Sequence, residues 1–348
     1  MFVNTLTITK IIDSTENTKC FYFSVDGEFN YQPGQYITLV LTINGREVRR
    51  PYSLSSVPKI DQEPFFTVKL IENGEATRYL HHKVIVGQKL NFIPSNGRFV
   101  LPTQLPKQLV FLAAGSGISP IFALIKQALY YTTTEVILLY SNSSMAQTIF
   151  YNELESLRNE FPNRFKITYY FSNAKNLAQA RLSRLNLEEF IGLMIAEPKQ
   201  TLYFTCAPFV YMEMVQITLL TMGIDASNLI KETFFLPEED DDDDEGSLVA
   251  EKEALTYTDS QVTLITATQN YTFEVKAHQT ILQAAQQNNV PLNYSCGRGM
   301  CSTCICSVTE GSAHMIYNQI LTDNEVSAGR ILTCTAHART PYITIKNT

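Results

Sequence analysis

The chain has 348 residues, 45% of them hydrophobic, enough for two or three domains that each bury a core. The formal net charge is −7, yet the run EEDDDDDE at 238–245 alone contributes −8 and leaves +1 for everything else. The folded parts are therefore near neutral and lack the basic stripe of a DNA- or RNA-binding protein.

The amino terminus, MFVNTLTITKIIDS, alternates apolar and polar residues and has no charged leader, apolar core and small-residue cleavage site. It predicts a first strand, not a signal peptide. Through residue 103 short alternating runs follow (FYFSV, YITLVLTI, FFTVKLI), with Pro33-Gly34 and Asn44-Gly45 as turns, which predicts a small antiparallel barrel over 1–103. From 104 to 236 apolar strands alternate with helical stretches: LVFLAAG, ISPIFALIKQALYY, VILLYSN, AQTIFYNELESLRNEF, FKITYYF, LYFTCAP and FVYMEMVQITLLTMG. Alternation of this kind builds a parallel sheet with helices on both faces. The most apolar stretch, Leu109 to Ile125, is broken by Gly115, Ser116, Gly117, Ser119 and Pro120, so it reads as strand, turn and helix and not as a membrane span. Residues 237–254, with the acidic run, Gly246 and Ser247, have little to bury and read as an extended tether on which the last domain swings. Residues 255–348 supply strands VTLITAT and YTFEVKA, a helix near Thr280 to Gln287, a cysteine loop and a return strand YITIK, an α+β sheet with one packed helix.

Five of the seven cysteines lie between Cys296 and Cys334, a clustering that disulfide stapling would not produce and that points to a metal site in a reducing cytoplasm. Cys296, Cys301 and Cys304 are spaced C-x4-C-x2-C, and Cys334 follows after 29 residues within ILTC. This is plant-type [2Fe-2S] spacing, in which each iron takes two thiolates and four sulfurs must converge, here three from one loop and one from a distant strand. Gly297 and Gly299 let that loop curl and aim N–H groups at sulfur. Zinc would favour paired C-x2-C knuckles, of which there is one. Cys306, two residues past Cys304, and Cys20, inside an alternating strand, read as small core residues.

The stretch YSCGRGMCSTC followed by LTC resembles the ferredoxin-type domain of oxygenase reductases, similar to the reductase subunits of phenylacetyl-CoA epoxidase systems. Arg50, Pro51, Tyr52 and Ser53 (RPYS) resemble the flavin signature of the ferredoxin reductase superfamily. The resemblance implies Arg50 on the flavin phosphate, Tyr52 packed on the isoalloxazine and Ser53 near N5; a guanidinium fork and an aromatic ring suit those roles. Val68, Lys69, Gly74 and Thr77 resemble that family's second phosphate motif, implying FAD. LAAGSGISPI is G-x-G-x-x-P, otherwise a plain tight turn; by the resemblance Gly115, Ser116, Gly117 and Pro120 cradle the nicotinamide nucleotide's pyrophosphate. Thr205-Cys206-Ala207-Pro208 resembles the family's C-G-P turn, with Ala207 in place of the glycine, and Glu232-Thr233-Phe234 its E-x-F end. These imply Cys206 and Pro208 beside the nicotinamide and Glu232 and Phe234 near the flavin, with Ser53, Cys206 and Glu232 as catalytic residues. The implied fold is an antiparallel flavin barrel, an α/β parallel-sheet nucleotide-binding domain and a β-grasp-like ferredoxin domain.

The implied activity carries electrons from NAD(P)H through FAD and the [2Fe-2S] cluster to a partner oxygenase, of the phenylacetyl-CoA epoxidase system or another oxygenase, hydroxylase or desaturase. A non-catalytic redox sensor is the alternative. After VILLY come Ser141-Asn142-Ser143-Ser144 without arginine, while Lys175 and Arg181 follow the next strand, which leaves NADH and NADPH both open. A hydrolase at Ser116 lacks a G-x-S-x-G elbow, and His81-His82 reads as a solvated helix face. Neither nucleic acid nor membrane is an expected partner. Residues 255–348 carry five basic and five acidic side chains, so docking to an acceptor should depend only modestly on salt.

Overall fold

The computed structural model describes residues 4–176, 180–234, 257–299 and 301–347. Two compact units divide the chain, one up to residue 236 and one from residue 237. The acidic tether expected at 237–254 lies outside the described residues.

The first unit opens with β1 (Asn4–Thr15), β2 (Thr18–Val25), β3 (Tyr36–Ile43), β4 (Arg46–Ser53), β5 (Phe65–Lys69), α1 (Glu75–Lys83) and β6 (Lys89–Asn96). The strands form an antiparallel sheet in the order β4-β3-β6-β1-β2-β5, and a bridge between Leu54 and Phe66 joins its two edges. The β3–β4 hairpin turns on Asn44 and Gly45, at φ of 51° and 76°, the pair of positive values that Asn-Gly is suited to. Alternate residues of each strand, among them Leu6, Ile8, Phe21, Phe23, Ile37 and Leu39, fill the interior.

A parallel sheet follows: β7 (Gln108–Ala114), α2 (Ile118–Tyr131), β8 (Glu135–Asn142), α3 (Tyr151–Glu160), β9 (Phe165–Phe171), α4 (Arg184–Met194), β10 (Leu202–Cys206), α5 (Phe209–Thr221) and β11 (Leu229–Glu232). Its order is β11-β10-β7-β8-β9, so the chain reverses direction across the sheet between β7 and β10. Strands buried on both faces need continuous apolar runs, which LVFLAA and VILLY supply. The helix expected over AQTIFYNELESLRNEF begins only at Tyr151, because Phe150 adopts a left-handed φ of 61°. That turn drops the Phe150 ring onto Phe122, with centroids 4.3 Å apart, and burial of the ring offsets the backbone strain.

The second unit contains β12 (Ser260–Ile265), β13 (Asn270–Val275), α6 (Ile281–Gln287), β14 (Ile305–Glu310), β15 (Ala313–Met315), α7 (Asp323–Ser327), β16 (Arg330–Leu332), β17 (Ala336–Ala338) and β18 (Tyr342–Asn347). Five strands run in the order β13-β12-β18-β14-β16, with β12 and β18 parallel, and β15 pairs with β17 as a separate ribbon. Thr280 and Gln283 close a reciprocal capping box at the start of α6, which lays Ile281, Leu282, Ala284 and Ala285 on the sheet. Among the described residues no helix is long and apolar enough to cross a membrane.

Candidate redox-cofactor sites

The cysteine loop runs from the end of α6 to β14. Gly297 and Gly299 take φ of 69° and 72°, the left-handed region, and curl the backbone so that its N–H groups face sulfur. Gly299 N–H donates to Cys334 Sγ at 3.2 Å, Arg298 N–H to Cys296 Sγ at 3.4 Å, and Cys296 N–H to Cys301 Sγ at 3.5 Å. A Cβ on Gly299 would lie 3.0 Å from both Thr335 and Tyr317, so glycine answers to space as well as to φ there. Cys304 and Cys334 approach to 3.2 Å between sulfurs. Cys334 sits in the turn between β16 and β17 and not on a strand as expected, since the chain must bend there to bring the sulfur to the loop. That turn is tied down at both sides: Leu282 N–H donates to Thr333 O, and Thr333 N–H to Cys304 O.

The hydrogen bond with the Cys296 thiol pulls Cys301 down to about 5, against burial, and N–H groups of Cys296 and Thr303 add to the effect. In the Cys304–Cys334 pair the shared hydrogen bond lowers Cys304 and raises Cys334, so the pair gives up its first proton readily. Thiolates are what iron requires. Among the described residues no three His, Cys, Asp or Glu side chains are placed to hold a single metal ion; a two-iron cluster asks for two thiolates at each iron. Four thiols with N–H groups aimed at three of them fit such a cluster. Cys306 lies in β14, buried, its Sγ against Asn347 Oδ1, and Cys20 is buried in β2 against Thr67.

In the barrel, β4 presents Arg50 and Tyr52 on one face and Ser53 on the other. Arg50 is exposed, its guanidinium donating to the Arg49 carbonyl, which leaves most of its fork for an anion. Tyr52 is half-buried with its ring centroid 5.6 Å from that of Phe66; burial pushes its phenol up and keeps it neutral. Ser53 is 5% exposed. Pro51, between Arg50 and Tyr52, lies opposite Thr38 of β3. Val68 O accepts from His81 Nε2 at 2.9 Å, so His81 is buried against the barrel and not on a solvated face, as α1 must pack one side on β5; His82 is exposed. The Thr77 hydroxyl accepts from Ile71 N–H and donates to the Gly74 carbonyl, closing its own turn at the start of α1. The chemistry of this set, a free guanidinium fork beside an aromatic ring and a glycine turn, fits a flavin nucleotide.

The glycine loop occupies the point where the parallel sheet reverses. Gly115 has φ of 54°, and a Cβ there would lie 3.7 Å from Lys69 Nζ at the end of β5. A Cβ on Gly117 would fall 1.9 Å from the Cys206 carbonyl oxygen and 3.1 Å from Ala207 N, so the loop after β7 and the turn after β10 meet backbone to backbone. Ser116 O accepts from Ser119 Oγ, and Pro120 is buried in the first turn of α2. Cys206 pairs in register with Ala113 and with Glu232, which brings the ends of β7, β10 and β11 together. Burial, with Glu232 adding to it, pushes the Cys206 thiol well up, so it is a neutral thiol. Pro208 caps α5, and half-buried Phe234 packs on the core that includes Cys206. The buried Thr205 hydroxyl has no hydrogen-bonding partner among the described residues, and the Ser141 hydroxyl lies against that of Tyr211. Ser141 and Thr205 stand near the carboxyl ends of β8 and β10, the end of an open parallel sheet that suits a dinucleotide.

Two residues are not singled out by any sequence motif. Lys126, in α2, and Asp61, between β4 and β5, form an ion pair with N–O distances of 2.6 and 2.8 Å. The readable sign was a lone lysine in an otherwise apolar helix; its partner 65 residues away was not readable.

These sites define a flavin and iron–sulfur oxidoreductase driven by a nicotinamide nucleotide. Family models agree: an oxidoreductase FAD-binding domain matches residues 5–101, an oxidoreductase NAD-binding domain 111–216, and a 2Fe-2S iron-sulfur cluster binding domain 265–339. The chain thus joins an FAD-binding, an NAD-binding and a 2Fe-2S cluster binding domain in that order, and it is similar over nearly its whole length to reductase components of oxygenases. It is 28% identical over 347 residues to the ferredoxin reductase component of 3-ketosteroid-9-alpha-monooxygenase from Rhodococcus rhodochrous, covering 98% of this chain and 96% of that one. It is 27% identical to one of the subunits of the 1,2-phenylacetyl-CoA epoxidase from Escherichia coli K12, over 96% and 94% of the two chains. In fold it matches phthalate dioxygenase reductase, with a TM-score of 0.62 at 19% identity over 99% and 98% of the chains.

Proposed function

We propose that this chain is the reductase component of an oxygenase system, with the phenylacetyl-CoA epoxidase kind as the first candidate and another oxygenase, hydroxylase or desaturase as the runners-up. The observation that carries the reading is the meeting of β5, the Gly115–Gly117 loop and the Cys206 turn, which sets the end of a flavin-barrel strand beside the nucleotide loop. In our reading the flavin barrel spans 1–103, the nucleotide domain 104–236 and the ferredoxin domain 255–348.

When bound, the cofactors would supply the redox chemistry, hydride acceptance at flavin and one-electron transfer at the [2Fe-2S] cluster. The chain's residues bind and orient. Arg50 would hold a flavin phosphate through its fork, Tyr52 would cover one face of the ring, and Pro51 and Ser53 would set the strand end against it. Val68, Lys69 and Gly74 would line the pyrophosphate, with Thr77 shaping the turn that presents its N–H groups. Gly115, Ser116, Gly117 and Pro120 would admit the nicotinamide nucleotide's phosphates to the start of α2. Cys206 and Pro208 would flank the nicotinamide ring, and Glu232 and Phe234 would close the crevice. Cys296, Cys301, Cys304 and Cys334 would ligate the irons, with the N–H groups of Arg298 and Gly299 tuning the sulfurs. Clustered free thiols support a reducing cytoplasm as the compartment.

Anaerobic stopped-flow absorbance with NADH and, separately, NADPH tests this. Flavin bleaching followed by cluster reduction is expected, and the faster donor names the nucleotide. Absence of either chromophore, or no response to either donor, overturns the reading. Turnover with purified oxygenase components over a range of salt then sorts the acceptors, with a shallow salt slope expected for the true partner.

A further inference from the structure

Lys126 is the one charged residue in the helix ISPIFALIKQALYY, and its side chain is 7% exposed. Its Nζ meets both carboxylate oxygens of Asp61 and lies 4.5 Å from the centroid of the Phe122 ring and 5.4 Å from that of Phe65. Asp61 is rigid in turn: its Oδ2 accepts from Val57 N–H at 2.5 Å. The loop that carries it continues directly from Arg50-Pro51-Tyr52-Ser53. The helix that carries Lys126 starts at the Gly115–Gly117 loop. One ion pair therefore joins the continuation of the flavin strand to the helix that opens the nucleotide site. Tyr131 Oη, donating to Pro58 O at 3.1 Å, repeats the link one turn later.

A buried pair of this kind is a poor device for stability, since well-packed apolar residues in its place are often neutral or stabilising. Apolar contacts such as Phe65 on Phe150 hold two lobes together but let them slide, whereas an ammonium set on both oxygens of a fixed carboxylate has one position. We propose that Asp61 and Lys126 are positioning residues that fix the nucleotide lobe against the flavin lobe at the spacing hydride transfer needs. This rests on the reductase reading above. Misplacement of reacting groups by about 1 Å lowers a rate by about 10²-fold, which gives a clamp remote from the reacting atoms its value.

The test uses the full-length holoprotein and three forms: wild type, D61N, and the double variant D61L/K126M, which replaces the pair by apolar side chains. Read-outs are melting temperature, the flavin spectrum, reduction by dithionite, the rate of flavin bleaching by nucleotide, and the long-wavelength charge-transfer absorbance of oxidised flavin mixed with nucleotide. The double variant is expected to melt at or above wild type and to accept dithionite electrons normally, while nucleotide-driven bleaching falls at least about tenfold and the charge-transfer band weakens at saturating nucleotide. Wild-type bleaching rate and band in the double variant overturn the proposal. If the double variant does not fold, D61N decides alone: it keeps an acceptor for Val57 N–H and loses the charge, so a slowed rate with intact flavin supports the clamp and an unchanged rate overturns it. Failure of wild type itself to respond to either nucleotide sinks the reductase reading and not the clamp alone.

Discussion

Replacing Gly117 by alanine isolates the contact between the glycine loop and the turn after β10, the contact on which the proposed nucleotide site depends. Gly117 has an ordinary helical φ of −61°, so alanine brings no backbone strain there. What it brings is a methyl group 1.9 Å from the Cys206 carbonyl oxygen and 2.5 Å from its carbon. Ordinary contact needs about 3.5 Å, so the glycine loop or the β10 turn must retreat by roughly 1.5 Å. Both are backbone, and neither can rotate away. Overpacking of this kind costs about 1–3 kcal/mol, a loss of several degrees in melting temperature. The displacement would separate the two backbones proposed to wall the nicotinamide site, and at that scale the nucleotide-driven rate should fall about 10²-fold. Gly115→Ala is the comparison: its nearest neighbour would be Lys69 Nζ at 3.7 Å, so the change meets no wall and costs only the left-handed strain, about 1–2 kcal/mol. The assay is NADH- or NADPH-driven reduction of a one-electron acceptor by the full-length protein, with thermal melts and dithionite titration of the cluster alongside. G117A should lose nucleotide-driven rate far more than G115A, while dithionite reduces the cluster in both. A G117A rate within twofold of wild type would refute the argument that these two backbones wall the site.

Cys334→Ser should abolish the visible absorption of a [2Fe-2S] cluster in purified protein, whereas Cys306→Ala should retain it; equal loss in both would move Cys306 into the ligand set. Arg50→Ala should weaken flavin retention through gel filtration by about tenfold or more, as a charged hydrogen-bonding group contributes about 1.5–3 kcal/mol, and unchanged flavin content would remove Arg50 from the site. Burial lowers the pKa of His81, so the unfolded chain binds a proton more readily than the folded one and stability falls as pH drops through about 6.5. His81→Gln should flatten the decline of melting temperature between pH 7 and pH 5, and identical slopes would show that His81 does not contribute to it.

How much of this was legible in the sequence varies with the range of the interaction. The hairpin at Asn44-Gly45 and the cysteine loop are local: residue type and spacing carry the geometry, and both stand where the sequence puts them. Phe150 shows the opposite case. Its helical pattern is overridden by a ring that finds Phe122 28 positions earlier, and only the tertiary contact decides that the helix starts at Tyr151 and not at Ala146. Helix α4 was missed because just two of its residues, Leu187 and Ile191, are buried, leaving little contrast between its faces. Strands β15, β16 and β17 have three residues each, too short for a period of two to register. At the site itself, the sequence names Gly117 and Cys206 separately, but their contact is a property of the sheet order, which brings β7 beside β10.

The four sulfurs, the core beneath them and the ties that hold the Cys334 turn all come from residues 257–347. Iron insertion in the cell is then a local event, confined to that unit. It asks nothing of the flavin's loading. Preparations that lose flavin on a column should stay brown, and the ratio of the two colours in a purified sample becomes a record of how each half was supplied, in iron and sulfide on one side and in riboflavin on the other.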